Sequence, residues 1–218
     1  MSESDPPPKS NPLQSAISAV DKYHQVHPEA TSFTINRRFT IPETESIVTA
    51  HTRLPPDHPF YALVGRVASE WSHLEHILDE TIWSLLQAQR ELIACVTSQI
   101  LGVGQRCNAI DLLARTRGIG DEFRKPFRQL KQDSFSVGDW RNRIVHDAWL
   151  FEIISGKPAQ FRAMPTVDPR FGAQEISEEE ISETLGKIHS LQSRAIEASF
   201  KLSVELSSLL EKQASAPP

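Results

Sequence analysis

Three residues close together in the chain have side chains suited to phosphate chemistry: Arg141, Asn142 and His146. An imidazole titrates near neutral pH and can move a proton. A guanidinium keeps its positive charge and can stabilise a phosphate on which negative charge develops. A neighbouring amide can orient either group. These residue types therefore suit phosphodiester chemistry that needs no metal ion.

The spacing of these residues is informative only when the asparagine is included. With 15 Arg and 8 His in the chain, an Arg followed by His after four to six positions is expected roughly 1.7 times by chance. Requiring Asn directly after the Arg lowers the expectation at one spacing to about 0.01. On an ideal helix Arg141 lies about 140° round the axis from His146. The arginine must therefore curl round the helix, or the pair must meet across a two-fold interface.

Basic residues are concentrated around this motif. Between Arg115 and Arg143 eight basic side chains stand against four acidic ones, a local excess of four positive charges. A phosphate backbone could bind such a surface, and we expect Arg143, Arg128 and Lys131 to contact it. The alternative is a solvated helix of mixed charge. Such a helix explains this run of charges at least as well.

Helices must position the motif. Proline is concentrated in the first 59 residues, and only Pro126 falls between 60 and 157, so the long helices belong to that later region. Apolar residues at three- and four-residue steps predict helices over 60–86, about 91–113 with a bend at Gly102 and Gly104, and about 122–149. A last helix of more than 30 residues follows the capping box of Ser177 and Glu180.

The pattern changes to period two on either side of residues 155–158, which predicts a short β-hairpin. The fold class is therefore all-α: a helical bundle with a small inserted β-hairpin and a disordered, Pro-rich N-terminal tail. We divide the chain into an N-terminal arm over 1–57 that is partly disordered, a helical domain over 58–212 and a frayed tail over 213–218. The apolar stripes over 60–86 and 122–149 are wide, which predicts a two-fold interface between them.

Composition excludes several classes of protein. The net charge of −5 argues against a generally basic nucleic-acid coat. No run of about 18 residues is free of polar groups, so we expect no membrane span. The first residues lack the pattern of a signal peptide, which predicts a cytoplasmic protein. Cys95 and Cys107 form neither a metal pair nor a disulfide framework.

The arrangement of Arg141, Asn142 and His146 on a late helix of an all-α domain resembles the Rx4-6H motif of the HEPN superfamily. The helix around Trp71 and the hairpin after the motif are also similar to bacterial members. The resemblance covers about residues 58–212, and only the short motif is specific. One HEPN subgroup has a tyrosine, modified by a partner antitoxin, where this chain has Ala148, so the resemblance does not carry that regulation over.

The resemblance implies a metal-independent endoribonuclease that acts as a homodimer, in a role related to toxins or defence. Arg141 and His146 would be catalytic and Asn142 would orient them. Other HEPN proteins are non-catalytic modules that bind nucleotide, RNA or a protein partner, and this alternative stays open, as does a purely structural bundle. Without the resemblance, surface contacts and helix capping are the better explanation of the Arg and His.

We expect neither a metal nor another cofactor. Glu70 and His73 match one arm of a carboxylate-bridged metal site in a helical bundle, but the chain has no second arm of this type. Gly102 and Gly104 lack the third glycine and the preceding strand of a dinucleotide site. The partners we expect are RNA, a second copy of the chain and a protein partner or antitoxin.

Overall fold

The computed structural model describes residues 18–19, 21–22, 25–26, 33–37, 48–153, 155–164 and 170–215. The tail over residues 1–12 that we predicted to be disordered lies outside these ranges. The chain divides into two compact units. The sheet unit is formed by Met1–Tyr61 and His146–Glu178, and the helical unit by Ala62–Val145 and Glu179–Pro218. The prediction of a mostly helical protein with a small antiparallel β element is confirmed.

Five long or medium helices account for most of the described residues. They are α1 (Phe60–Leu86), α2 (Arg90–Thr97), α3 (Gly102–Thr116), α4 (Asp121–His146) and α5 (Glu178–Ala214). The helix α5 begins directly after Ser177, where the capping box predicts its first turn. None of the helices in the described part of the chain is long and apolar enough to cross a bilayer.

The prediction of one bent helix over about 91–113 is wrong. The helix α2 ends at Thr97 and α3 begins at Gly102. Gly102 has a φ of 73°, in the left-handed region that glycine adopts without steric cost. A left-handed residue cannot continue a right-handed helix, so the segment divides into two helices.

Backbone capping fixes the turn between α3 and α4. The amide of Ile119 donates to the carbonyl of Ala114 and the amide of Gly118 to that of Arg115, both at 3.0 Å. Gly118 has a φ of 79°, which completes a Schellman motif at the end of α3. The side chain of Arg117 donates through Nε to the carbonyl of Leu85 at 3.0 Å. One short segment therefore closes two helix ends and sets the start of α4.

The apolar stripes of the helical unit form its own core. Fully buried members include Leu74 and Leu78 on α1, Phe127 and Ile144 on α4, and Leu202 on α5. The expected two-fold interface between the stripes of α1 and α4 is therefore wrong in its residues, because the fold of one protomer already covers them. Among the described residues of these two helices, Phe135 is the one large apolar side chain that is strongly exposed, at 61%.

The sheet unit is larger than the predicted hairpin. Five antiparallel strands follow one another in chain order: β1 (Phe33–Arg37), β2 (Val48–Arg53), β3 (Trp149–Glu152), β4 (Lys157–Met164) and β5 (Arg170–Glu175). The strands β3 and β4 form the predicted hairpin, and Arg53 of β2 pairs with Leu150 of β3. The small inserted β-hairpin is thus corrected to part of a five-stranded sheet.

The segment predicted to be a separate N-terminal arm contributes two of these strands. A domain boundary at residue 57 therefore differs from the division into compact units. In that division the segment before α1 and the segment between α4 and α5 belong to one unit and form one sheet. The physical reason is that an isolated two-stranded hairpin is marginal in water and gains stability from further strands and an apolar cover. Phe60 and Trp149 supply such a contact, with ring centroids 4.8 Å apart.

Candidate functional site

The Arg-Asn-His motif lies in the last two turns of α4. Because α4 continues without interruption to His146, Asn142 and His146 lie one turn apart on the same side of the helix. Arg141 lies about 140° round the axis from His146. Its Nη1 atom donates a hydrogen bond to Asn142 Oδ1 at 2.9 Å. The structure therefore brings Arg141 and Asn142 together and starts the arginine and histidine side chains from different sides of α4.

Exposure divides the motif in the same way. Asn142, Arg143 and His146 are exposed, whereas Arg141 is half-buried. By helix period, Arg141 falls on the side of α4 that carries the buried Ile144. The stem of this arginine therefore starts at the border of the core, and its guanidinium reaches towards the exposed amide of Asn142.

The exposed part of the motif continues a longer stripe along α4. Phe135, Asn142 and His146 lie within about 40° of one another round the helix axis. All three are exposed, and we call them the α4 surface stripe. An aromatic ring, an amide and an imidazole on one side of a helix can together contact a base, a sugar hydroxyl and a phosphate.

The predicted phosphate contacts differ in how much of their charge is compensated. Arg128 Nη1 donates to Asp111 Oδ1 at 2.7 Å, and its Nη2 donates to Asp121 Oδ2 at 2.8 Å. The hydrogen bond to Asp121, followed by the one to Asp111, raises the pKa of the Arg128 guanidinium above its usual range. A phosphate at Arg128 would therefore have to compete with two carboxylates.

Arg124 shares the same two acids. Its Nη2 donates to Asp121 Oδ1 at 2.9 Å, and its Nη1 lies 3.6 Å from Asp111 Oδ1. Two guanidinium groups and two carboxylates thus form a cluster without net charge, which we call the α3–α4 ion cluster. The sequence count missed it because Asp111 lies on α3, before the basic run, and only helix packing brings it to the arginines.

Lys131 has a different environment from Arg128. Its Nζ donates to Asn108 Oδ1 at 2.9 Å, and a neutral amide does not cancel the ammonium charge. The side chain is half-buried, and its stem lies 3.9 Å from the position that a Cβ on Gly104 would take. Of the three predicted substrate-binding residues, Arg143 is exposed, Lys131 is held by an amide, and Arg128 belongs to the ion cluster.

The carboxylate of Glu70 has protein partners from α5. Gln192 Nε2 donates to Glu70 Oε2 at 3.1 Å, and His189 Nε2 lies 3.4 Å from the same oxygen. The hydrogen bond from Gln192 is the main cause that lowers the pKa of the Glu70 carboxyl. In the described part of the chain no three or more His, Cys, Asp or Glu side chains are grouped so as to hold a metal ion. Glu70 thus joins α1 to α5.

Two further acids on α1 also have partners within the fold. Arg106 Nε donates to Asp79 Oδ1 at 2.8 Å, and its Nη1 lies 3.7 Å from Glu75 Oε1. Arg106 is buried, and a buried guanidinium needs such partners because its desolvation is costly. Glu75 therefore serves the packing of α1 against α3.

Comparison with known proteins gives no family for this chain. No protein-family model, no curated protein and no solved structure matches it with significance.

Proposed function

We propose that this protein is a metal-independent endoribonuclease of HEPN type that acts as a homodimer. The observation that carries the proposal is the end of α4, where Arg141 donates to Asn142 and the exposed His146 follows one turn later. The Rx4-6H resemblance supplies the reaction class. The exposed aromatic ring of Phe135 on the same stripe supports contact with a base.

In this reaction the ribose 2′-hydroxyl attacks the adjacent phosphorus, and the bond from phosphorus to the 5′-oxygen breaks. His146 takes the proton of the 2′-hydroxyl or gives one to the leaving 5′-oxygen. Arg141 stabilises the charge that develops on the non-bridging oxygens, and Asn142 orients the guanidinium. The products are a 2′,3′-cyclic phosphate and a 5′-hydroxyl. The step needs no oxidant and no metal.

The homodimer belongs to the proposal because of the angle between Arg141 and His146. Two protomers that pack about a two-fold axis close to Asn142, with Phe135 and His146 left open to RNA, would place both motifs side by side. An arginine of one copy and a histidine of the other could then act on one phosphate. Lys131 and Arg143 would contact neighbouring phosphates.

The test is cleavage of total RNA by the purified full chain in EDTA. We expect cleavage with a 2′,3′-cyclic phosphate at the new end, and a loss of about 10² or more in rate for Arg141→Ala and His146→Ala. The matched controls are Arg115→Ala and His76→Gln, which change exposed residues of the same types outside the motif and should stay within a few-fold of the parent. Cleavage that requires added Mg²⁺ or Mn²⁺, or that survives His146→Ala, would refute this function.

A second candidate function is a non-catalytic HEPN module that binds RNA, nucleotide or a protein. The α3–α4 ion cluster favours it, because Asp111 and Asp121 compensate two of the arginines that a strong phosphate groove would leave open. RNA with 2′-O-methyl groups binds without being cut by this chemistry and separates the two functions. Binding of this RNA by the parent, with no cleavage of the 2′-hydroxyl form, would select the module.

A further inference from the structure

The side chain of Phe135 offers an open aromatic surface in the middle of α4. It is 61% exposed, and its Cζ atom lies 4.0 Å from the position that a Cβ on Gly104 would take. The ring therefore lies beside the first turn of α3. Because Gly104 has no side chain, this turn of α3 does not cover the ring, and a flat apolar face stays open to solvent.

The positions around this ring on the surface of α4 are polar or small. Residues three and four positions from Phe135 are its neighbours on the helix, and they are Lys131, Gln132, Gly138 and Asp139. An apolar protein partner requires a contiguous apolar patch, which one ring among such neighbours does not supply. A nucleobase matches this surface better, because its flat face stacks on an aromatic ring while its edge remains polar.

Lys131 places a positive charge one turn away from the ring. Its Nζ donates to Asn108 Oδ1 at 2.9 Å, which holds the ammonium group in position. An ammonium group has three donors, so it can keep this hydrogen bond and still donate to a phosphate oxygen. Asp139 lies on the other side of Phe135 from Lys131, each about 40° round the helix axis from the ring. A phosphate on the Lys131 side therefore avoids this carboxylate.

We propose that Phe135 and Lys131 form a nucleotide subsite for single-stranded RNA, in which one base stacks on the ring and an adjacent phosphate binds the ammonium group. This inference rests on the proposed function, because the same strand continues along α4 to the Arg-Asn-His motif. A base inside a duplex has no free face, so the RNA is unpaired at this position. Every base has a π-face, so the subsite selects unpaired RNA and not a particular sequence.

The spacing along α4 limits how far the subsite lies from the motif. Phe135 precedes Asn142 by seven residues, which is about 10 Å along the helix axis. A stacked strand rises about 3.4 Å per nucleotide, and an extended strand rises more. The stacked base is therefore at most about three nucleotides from the phosphate that Arg141 would bind.

The first test measures binding without cleavage, with a labelled 2′-O-methyl RNA and fluorescence anisotropy. Phe135→Leu keeps an apolar side chain and removes the aromatic ring, so it should weaken binding about five-fold or more. The matched control is Phe200→Leu, the same substitution at a ring on α5 that is 69% exposed, and it should leave the affinity unchanged. Equal effects of the two variants, or no effect of Phe135→Leu, would overturn the subsite.

A lysine variant tests the phosphate contact in the same assay. Lys131→Gln should reduce the dependence of log K on log salt by about 0.7, the value for one phosphate contact on a single strand. Lys125→Gln removes an exposed lysine of the same helix that lies about 120° round the axis from Lys131, and it should not change this slope. The same reduction in both variants would mean that only net charge matters and would remove Lys131 from the subsite.

The position of the subsite is tested with a 2′-O-methyl RNA that has one unmodified ribonucleotide and can be cut at one bond only. One abasic nucleotide within about three positions of this bond should slow cleavage by the parent and cause no further loss in Phe135→Leu. Equal losses in both chains at every position, or a response only farther away, would overturn the assignment. If Phe135→Leu weakens binding while the parent cuts nothing, the subsite stands and the ribonuclease proposal fails.

Discussion

Replacing Asp111 with asparagine should strengthen RNA binding, because this carboxylate holds two guanidinium groups of α4. Asp111 Oδ1 lies 2.7 Å from Arg128 Nη1 and 3.6 Å from Arg124 Nη1. The substitution keeps the size of the side chain and removes one negative charge, while Asp121 still pairs with both arginines. One unit of positive charge in the α3–α4 ion cluster is then uncompensated.

The expected gain follows from counterion release. Each additional phosphate contact on single-stranded nucleic acid steepens the dependence of log K on log salt by about 0.7. If Asp111→Asn allows one further phosphate contact, affinity at 0.1 M salt should rise about five-fold relative to the parent, and the gain should vanish near 1 M. Fluorescence anisotropy with a labelled 2′-O-methyl RNA over a salt series measures both quantities.

The matched control is Asp133→Asn on the same helix. Asp133 pairs with Arg194 at 2.7 Å and lies on the opposite side of α4 from Arg128 by the helix period. It changes the net charge by the same amount. Equal gains from both variants would mean that only total charge matters. No gain from Asp111→Asn would place the RNA path away from the ion cluster and refute the assignment of Arg128.

Two further predictions concern packing and burial. Burial raises the pKa of the Cys107 thiol to about 12. At pH 8 Ellman's reagent should therefore react with one thiol per folded chain, that of the exposed Cys95, and with the second thiol only after unfolding. Rapid reaction of two thiols per folded chain would contradict this. A Cβ on Gly138 would lie 3.2 Å from Trp71 Cη2, so overpacking of about 1–3 kcal/mol should outweigh the helix-propensity gain of about 1 kcal/mol and lower the melting temperature of Gly138→Ala. Gly186 has open space around its Cβ position, so Gly186→Ala should raise the melting temperature, and equal shifts would refute the packing argument.

The parts of the fold that depend on local pattern were predictable from the sequence. The start of α5 after Ser177 and the hairpin of β3 and β4 follow from capping and from alternation within a few residues. The break at Gly102 was not, because a glycine inside an apolar pattern predicts either a bend or a left-handed residue. The strand β2 pairs with β3 across about a hundred residues of sequence, which no local pattern reports.

In the candidate site, too, contacts between neighbouring residues were predictable and contacts that depend on helix packing were not. The hydrogen bond from Arg141 to Asn142 joins adjacent residues and agrees with the role that the motif predicts for the amide. The compensation of Arg128 by Asp111 depends on how α3 packs against α4. A count of charges along one segment cannot report it, since the acid lies outside that segment. The angle between Arg141 and His146 was predictable once α4 was known to continue to residue 146.

The order of the strands has a consequence for folding kinetics. Arg53 pairs with Leu150, so β2 and β3 meet only after a loop of about a hundred residues has closed. Some contacts among the intervening helices span much less of the chain, such as the 27 residues between Asp79 and Arg106, and contacts that are nearer in sequence form faster than distant strand pairs. The pairing of β2 with β3 is therefore expected after the rate-limiting step, so substitutions in this strand pair should speed unfolding more than they slow folding.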